Sequence, residues 1–148
     1  MIHLTVCTEI DRPIDIVWRH LADIERHIEW MGDAESITFV TDQRSGVGTE
    51  FDCLTRLGPL HTMDRMKITA WSPNETMEVD HRGLVRGVGR FQLKKLGTDS
   101  TQFCWIEQLV FPLYFGGRLG EYAARPIMTP IWRASLRRFR QLVEADAS

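Results

Sequence analysis

The sequence predicts a single α+β domain in which a curved antiparallel sheet wraps a long C-terminal helix and leaves an apolar cavity between them. Three observations carry this reading. Residues 2–10, and then almost everything from 35 to 111, alternate at period two between clusters of Gly, Pro, Asn and Asp, as an antiparallel meander does. A stripe of helical period closes the chain, and 3-4 spacing returns briefly after the first strand, enough for two short helices. At 148 residues the chain has the size of one domain, 1–148, with length for one core and no second one.

Ile2, Leu4, Val6 and Ile10 recur at mostly even spacing with Thr5, Thr8 and Glu9 among them, a first strand that ends at Asp11-Arg12-Pro13. Pro13 suits the first turn of a helix, where its missing N–H costs nothing. Ile14, Val17, Trp18 and Leu21 then share one face and Asp15, Arg19 and His20 the other, so a short amphipathic helix runs to about Asp23. Ile24, Ile28 and Met31 predict a second short helix closed by Gly32.

Breaks at Gly46-Val47-Gly48, Gly58-Pro59, Ser72-Pro73-Asn74, Gly83 and Gly97-Thr98-Asp99 delimit six further strands, near 35–43, 48–57, 60–71, 75–82, 84–96 and 100–111. With the first they make a seven-stranded sheet. After Phe111-Pro112 an irregular lead-in carries Gly116, Gly117 and Gly120, then Pro126. The long helix is expected to begin at Thr129-Pro130, a capping hydroxyl followed by proline at the first helical position. Beyond it Trp132, Leu136, Phe139 and Val143 form one apolar stripe, with Arg133, Arg137, Arg140 and Glu144 turned away from it.

Composition removes several classes of function. A net charge of -2 lacks the concentrated positive charge that nucleic acid requires, so no nucleic-acid partner is expected. Cys7, Cys53 and Cys104 are odd in number, far apart, and lie in strand-like stretches, which suggests neither a disulfide framework nor a metal site and fits a reducing cytoplasm. The alternating first residues are not a signal peptide, and no window approaches a membrane span; the protein is expected to be neither exported nor membrane-embedded.

No metal or other cofactor is expected. His20, Asp23 and His27 have helix-like spacing but read as a solvated face. Gly46 to Gly48 and Gly83 to Gly89 open no helix, so they are turns or bulges and not phosphate loops. Arg133, Arg137, Arg138 and Arg140 form a basic patch whose default reading is a solvated face. Nothing in the sequence fixes an oligomeric state.

The alternation also assigns the inner face of the sheet. Phe51, Cys53, Thr55 and Leu57 oppose Glu50, Asp52 and Arg56; Met77, Val79 and His81 oppose Glu78, Asp80 and Arg82; Gly87, Gly89, Phe91 and Leu93 oppose Arg86, Arg90, Gln92 and Lys94. By the same rule Thr62, Asp64, Met66 and Ile68 face inward, and the set Phe103, Trp105, Glu107 and Leu109 is favoured over Cys104, Ile106 and Val110. A turn at residues 72–75 that sets Trp71 opposite Thr76 places Met66 opposite His81, with Asp64 a diagonal neighbour, so an Asp64–His81 contact is expected.

A sheet with an apolar inner face needs a cover, and one helix supplies only a narrow stripe. At this point a pattern emerges in Pro13-Ile14-Asp15-Ile16-Val17-Trp18 with Leu21-Ala22-Asp23 and Trp30, in Gly46-Val47-Gly48-Thr49, Trp71-Ser72-Pro73 and Gly87-Val88-Gly89-Arg90-Phe91, and in the Leu136 to Leu142 helix. Over almost its whole length the chain resembles the START-like helix-grip (SRPBCC) superfamily, in its polyketide cyclase/dehydrase-like branch. The resemblance implies a seven-stranded sheet gripping the last helix around a ligand tunnel. It also implies a choice among cyclases, lipid and sterol carriers, quinone-binding and hormone-binding proteins and chaperone co-factors, which fold alone does not make.

The leading expectation is the binding of a hydrophobic small molecule such as a polyketide, lipid, sterol or isoprenoid. Its wall is expected to include Trp30, Phe51, Met66, Val79, Phe91, Phe103, Trp105 and Trp132, with Trp71 among the core aromatics. Tyr114 and Tyr122 are candidates for the mouth, and Phe111 to Gly120 for a lid. One alternative is a polyketide cyclase or dehydratase using Asp64, His81 and Glu107 as an acid-base set. Another is a protein-interaction module resembling a chaperone co-factor.

Overall fold

The computed structural model describes residues 1–57 and 59–146, with the side chains of Leu57, Leu60 and Tyr114 outside the described set; the expected break at Gly58 falls outside it as well. Strand β1 (Ile2–Ile10) leads into helix α1 (Ile14–Ala22) and a 3-10 helix (Ile24–Glu29). The meander follows as β2 (Ala34–Phe39), β3 (Glu50–Leu57), β4 (Leu60–Ser72), β5 (Thr76–Arg82), β6 (Arg86–Gly97) and β7 (Ser100–Val110). A 3-10 turn (Leu113–Phe115) then joins helix α2 (Gly117–Glu144). The strands form one antiparallel sheet in the order β1-β7-β6-β5-β4-β3-β2, a helix-grip fold.

The dimensions of these parts create the hollow. Seven strands about 4.8 Å apart span roughly 29 Å, whereas a helix with its side chains is about 10 Å across. Helix α2 packs chiefly on β1, at one edge of the sheet. Its stripe of Trp132, Leu136, Phe139 and Val143 is buried as the periodicity predicts, each residue worth about 1.5–3 kcal/mol. Helix α1 adds Val17, Trp18 and Leu21, and the 3-10 helix adds Ile24, so one end of the sheet is closed. A span remains in front of β3, β4 and β5 that the C-terminal half of α2 does not reach.

Two expectations are corrected here. Helix α2 starts at Gly117, twelve residues before the expected cap, and runs through both Pro126 and Pro130. The Thr129 hydroxyl donates to the Arg125 carbonyl at 2.8 Å inside the helix instead of capping its start. A proline removes one helical N–H and is normally a break, but Met128 and Trp132 on either side of Pro130 are buried against the protein, and that packing outweighs the lost bond. Gly116, left-handed at φ 87°, is the true boundary residue.

Cys7 and Cys104 are joined by a disulfide, contrary to the reading from spacing. The first strand pairs with the last, and the register sets Cys7 directly opposite Cys104 with their Cα atoms 4.1 Å apart. Their separation of 97 residues hides a contact that only the non-local pairing creates. Cys53 is the free cysteine and is buried. The pairing removes the cysteine argument for a reducing compartment. Among the described residues, no helix is long and apolar enough to cross a membrane.

Candidate functional site

Between β2–β7, the 3-10 helix and the N-terminal half of α2 lies a cavity of about 810 Å³. Its wall is mainly apolar: Phe51 from β3, Met66 from β4, Met77 and Val79 from β5, Phe91 from β6, Trp105 from β7 and Trp132 from α2. The alternation of each strand places these side chains, because one residue in two points to the concave face. Trp105 and Trp132 stack with ring centres 4.7 Å apart and planes at 17°, fixing a flat aromatic panel where β7 meets α2.

Into this apolar space project Asp33, Asp64, His81 and Glu107. His81 Nε2 lies 3.0 Å from Glu107 Oε2, and Glu107 Oε1 accepts a hydrogen bond from Trp105 Nε1 at 2.9 Å. The pair is joined across an intervening strand. His81 stands on β5 and Glu107 on β7, and β6 between them presents Gly87 opposite His81 and Gly89 opposite Glu107. A Cβ on Gly89 would lie 2.6 Å from Glu107 Oε1, so glycine there makes the space the carboxylate occupies. Gly89→Ala is therefore expected to displace Glu107, part it from His81 and cost about 2 kcal/mol through overpacking. Thermal unfolding, with NMR of the His81 ring, checks this.

Burial lowers the proton affinity of His81, but the charge and hydrogen bond of Glu107, with Asp64 and Asp80, more than offset it, and the net shift is upward. Burial pushes the Asp33 and Asp64 carboxyls above their ordinary range. Asp33 Oδ2 accepts from Trp132 Nε1 at 3.3 Å, whereas Asp64 Oδ1 is buried with no hydrogen-bond partner. Burial also pushes the Cys53 thiol up to about 12, so it remains a neutral part of the wall. The site thus holds an imidazole that readily keeps its proton, a carboxylate bonded to it, and two carboxyls that resist ionisation.

Asp64, His81 and Glu107 all line the cavity, in the register expected from the sequence. Met66 is opposite His81, although the turn pairs Ser72 with Thr76 and a bulge between Ile68 and Ala70 restores the count. The expected Asp64–His81 contact gives way to His81–Glu107, because the two glycines of β6 open the path toward β7, while Asp64 Oδ1 lies against Gly83 just past the end of β5.

Phe51, Met66, Val79, Phe91, Trp105 and Trp132 are in the wall. Trp30 and Phe103 lie behind it in the core, where Trp30 packs on Phe139 at 4.8 Å and Phe103 on Phe91 at 5.4 Å. Tyr122 points to solvent, on the face of α2 away from the cavity, and the Tyr114 side chain lies outside the described residues. Phe111, Phe115 and Gly120 from the expected lid do border the cavity.

Two polar residues of the lining escaped sequence reasoning. His27 is buried, not solvated: its Nε2 donates to the Leu21 carbonyl at 2.7 Å, and its ring packs near Trp30 and Phe91. The spacing Ile24, His27, Met31 carried that signal. Asp33 follows Gly32 in a connection without periodicity, and no local pattern marks it. His20, expected beside His27 on a solvated face, instead bonds Asp146 at 2.7 Å. Among the described residues, no group of three His, Cys, Asp or Glu side chains could hold a metal ion.

Comparison with known proteins agrees with this architecture. The family model described as polyketide cyclase / dehydrase and lipid transport matches residues 1–144. Among solved structures, the protein TTHA0849 from Thermus thermophilus superposes with a TM-score of 0.81 at 16% identity, covering 99% of each chain. The Zhui aromatase/cyclase from a Streptomyces species gives 0.80 at 14% identity, over 96% of this chain and 93% of that one. A START superfamily protein from Mycobacterium smegmatis gives 0.75 at 15% identity, over 95% and 98%. A search of curated proteins finds no significant match. With the match running from the first strand to the end of the gripped helix, the chain belongs to the polyketide cyclase / dehydrase and lipid transport family.

Proposed function

We propose that this protein binds a hydrophobic small molecule of polyketide, lipid, sterol or isoprenoid character in the cavity, with an oxygen function of the ligand directed at the polar cluster. The observation that carries the proposal is an apolar cavity of about 810 Å³ that contains a buried carboxyl oxygen, Asp64 Oδ1, without a partner. Its volume lies within the ~300–1,000 Å³ of drug-sized ligand sites. A buried polar atom left unpaired costs on the order of 1–3 kcal/mol, and a ligand hydroxyl or carbonyl would relieve that cost. Native mass spectrometry of protein purified from its own cells is expected to show one co-purifying apolar molecule. Protein that is consistently empty, and that no apolar compound stabilises, would sink the proposal.

A second reading follows from the His81–Glu107 pair and Asp64. An aldol cyclisation needs a base to take the proton next to one carbonyl, so that the carbon attacks a second carbonyl. The subsequent dehydration needs an acid to protonate the departing hydroxyl, which leaves as water. In its neutral form the imidazole oriented by Glu107 would take the first proton, and Asp64, whose carboxyl burial pushes above its ordinary range, would protonate the departing hydroxyl in the same apolar space. On this reading His81→Ala removes turnover of a poly-β-ketone substrate and leaves its affinity within a few fold. Joint loss of binding and turnover would reduce these residues to a binding role.

A further inference from the structure

The outer surface of the helix that roofs the cavity has no internal task. Residues 117–131 of α2 border the cavity with Gly120, Ala123, Ala124, Ile127 and Met128. On the side facing solvent, Leu119 is 82% and Tyr122 84% exposed, and Leu113 at the foot of the helix is 91% exposed. Leu113 has its Cδ2 3.4 Å from the position a Gly117 Cβ would take, so it stands beside the first turn of the helix. The segment is therefore apolar on its cavity face and carries large exposed apolar side chains on its outer face, where a solvated helix surface has no use for them.

Charge identifies the cover. Helix α2 carries six arginines and two acids. Glu121 is buried and holds the Met1 amine at 2.6 Å and the Phe111 N–H, while Glu144 holds Arg140. Arg118, Arg125, Arg133 and Arg137 are all exposed, and Arg118 and Arg125 share a sector of about a third of a turn with Leu119 and Tyr122. From residue 118 to residue 137 every exposed charged side chain of α2 is an arginine, in a chain whose net charge is -2. A second copy docking face to face by a two-fold axis would set arginine against arginine. The apolar groups also stand out as isolated points instead of lining a groove, which suits insertion among acyl chains better than a peptide helix.

We propose that the outer face of α2, with Leu113, Leu119 and Tyr122 as insertion points and the arginine row as the electrostatic contact, docks this protein on an anionic lipid surface. Apolar side chains inserted at the headgroup boundary and basic residues facing anionic lipid act together in surface-bound helices. Docking there lays the roof of the cavity against the bilayer, which gives an apolar ligand a route that avoids water. The inference extends the ligand-binding reading but uses different residues, so the two can fail separately.

The test is flotation of the full chain with phosphatidylcholine vesicles, with and without phosphatidylglycerol, alongside binding of a fluorescent fatty-acid probe to the cavity. Binding is expected only to the vesicles that contain phosphatidylglycerol and to weaken with salt. Each of Arg125→Gln and Arg133→Gln is expected to weaken it about fivefold. Leu119→Ser with Tyr122→Ser, both exposed and so harmless to folding, is expected to weaken it on the order of tenfold or more, with probe affinity unchanged. Failure to bind phosphatidylglycerol vesicles, equal binding by the serine variant, or a dimer or acidic-protein complex that the same substitutions dissolve would overturn the docking inference while leaving the cavity reading intact. Loss of probe binding alone would do the reverse.

Discussion

Lowering the pH from 6.5 to 4 is expected to remove roughly 3 kcal/mol of stability that His27→Gln does not lose. His27 is buried against Trp30 and Phe91, and burial pushes its pKa from 6.5 down to about 4; the Leu21 carbonyl and Asp23 oppose the shift only in part. The folded protein therefore refuses a proton that the unfolded chain accepts at 6.5. The contribution is fully present above 6.5, falls as the pH drops, and is gone once the pH has passed through about 4. Three neighbours act in the opposite sense. His81, Asp33 and Asp64 have raised folded values, so their contributions are present below the unfolded values of 6.5 and 3.8 and are lost as the pH rises through the folded ones.

The raw acid profile of the protein is thus a composite, and the comparison with His27→Gln isolates the one ring, because glutamine retains a donor for the Leu21 carbonyl and does not titrate. Urea unfolding at a series of pH values is the measurement. Wild-type and variant curves that stay parallel from pH 7 to pH 4 would mean that His27 is not held neutral by burial. Against a total of about 5–15 kcal/mol for a domain of this kind, a loss of this size is large, and it falls on the 3-10 helix that closes one end of the cavity.

How much of this was legible in the sequence depended on whether local pattern or distant pairing decides the feature. The inner face of β3, β4 and β5 follows from alternation alone, so Phe51, Asp64, Met66, Val79 and His81 could be aimed correctly from the residues themselves. The partner of His81 could not. It depends on β6 lying between β5 and β7 and on glycine at residues 87 and 89, which is a fact about three strands at once. The disulfide between Cys7 and Cys104 is hidden in the same way by a pairing of first strand with last. Helix α2 shows the other limit. Pro126, Pro130 and the glycines at 116, 117 and 120 are strong local arguments against a helix over residues 117–130, and packing over the cavity overrides them. That local rules fail here, and that Tyr122 faces solvent where a mouth residue was expected, agrees with a roof whose outer surface serves a different contact.

Glu107→Ala is expected to cost about 3 kcal/mol and to reverse the direction in which the His81 pKa is shifted. The substitution removes the acceptor of two buried donors, Trp105 Nε1 and His81 Nε2, at 2.9 and 3.0 Å. Breaking a buried charge pair by deleting one partner costs about 3–5 kcal/mol. The lower end applies because His81 can shed its proton and become a neutral ring. For a chain of this length about 3 kcal/mol corresponds to a fall in Tm of roughly 10 °C. The sharper signature is the titration. In the wild type, Glu107 together with Asp64 and Asp80 outweighs the burial of His81, and the pair contributes stability below 6.5 that is lost as the pH rises through the raised folded value. Without Glu107 burial dominates, the folded value drops below 6.5, and the His81 contribution is instead present above 6.5 and lost on acidification. Glu107→Gln separates the two effects: its side-chain oxygen still accepts from Trp105, so most of the stability should return, while the His81 shift should still reverse because the charge is gone. NMR titration of the His81 ring in all three proteins decides the matter. A His81 pKa that is the same with and without Glu107 would show that the two side chains do not act as a pair, and would remove the acid-base reading of the cavity with it.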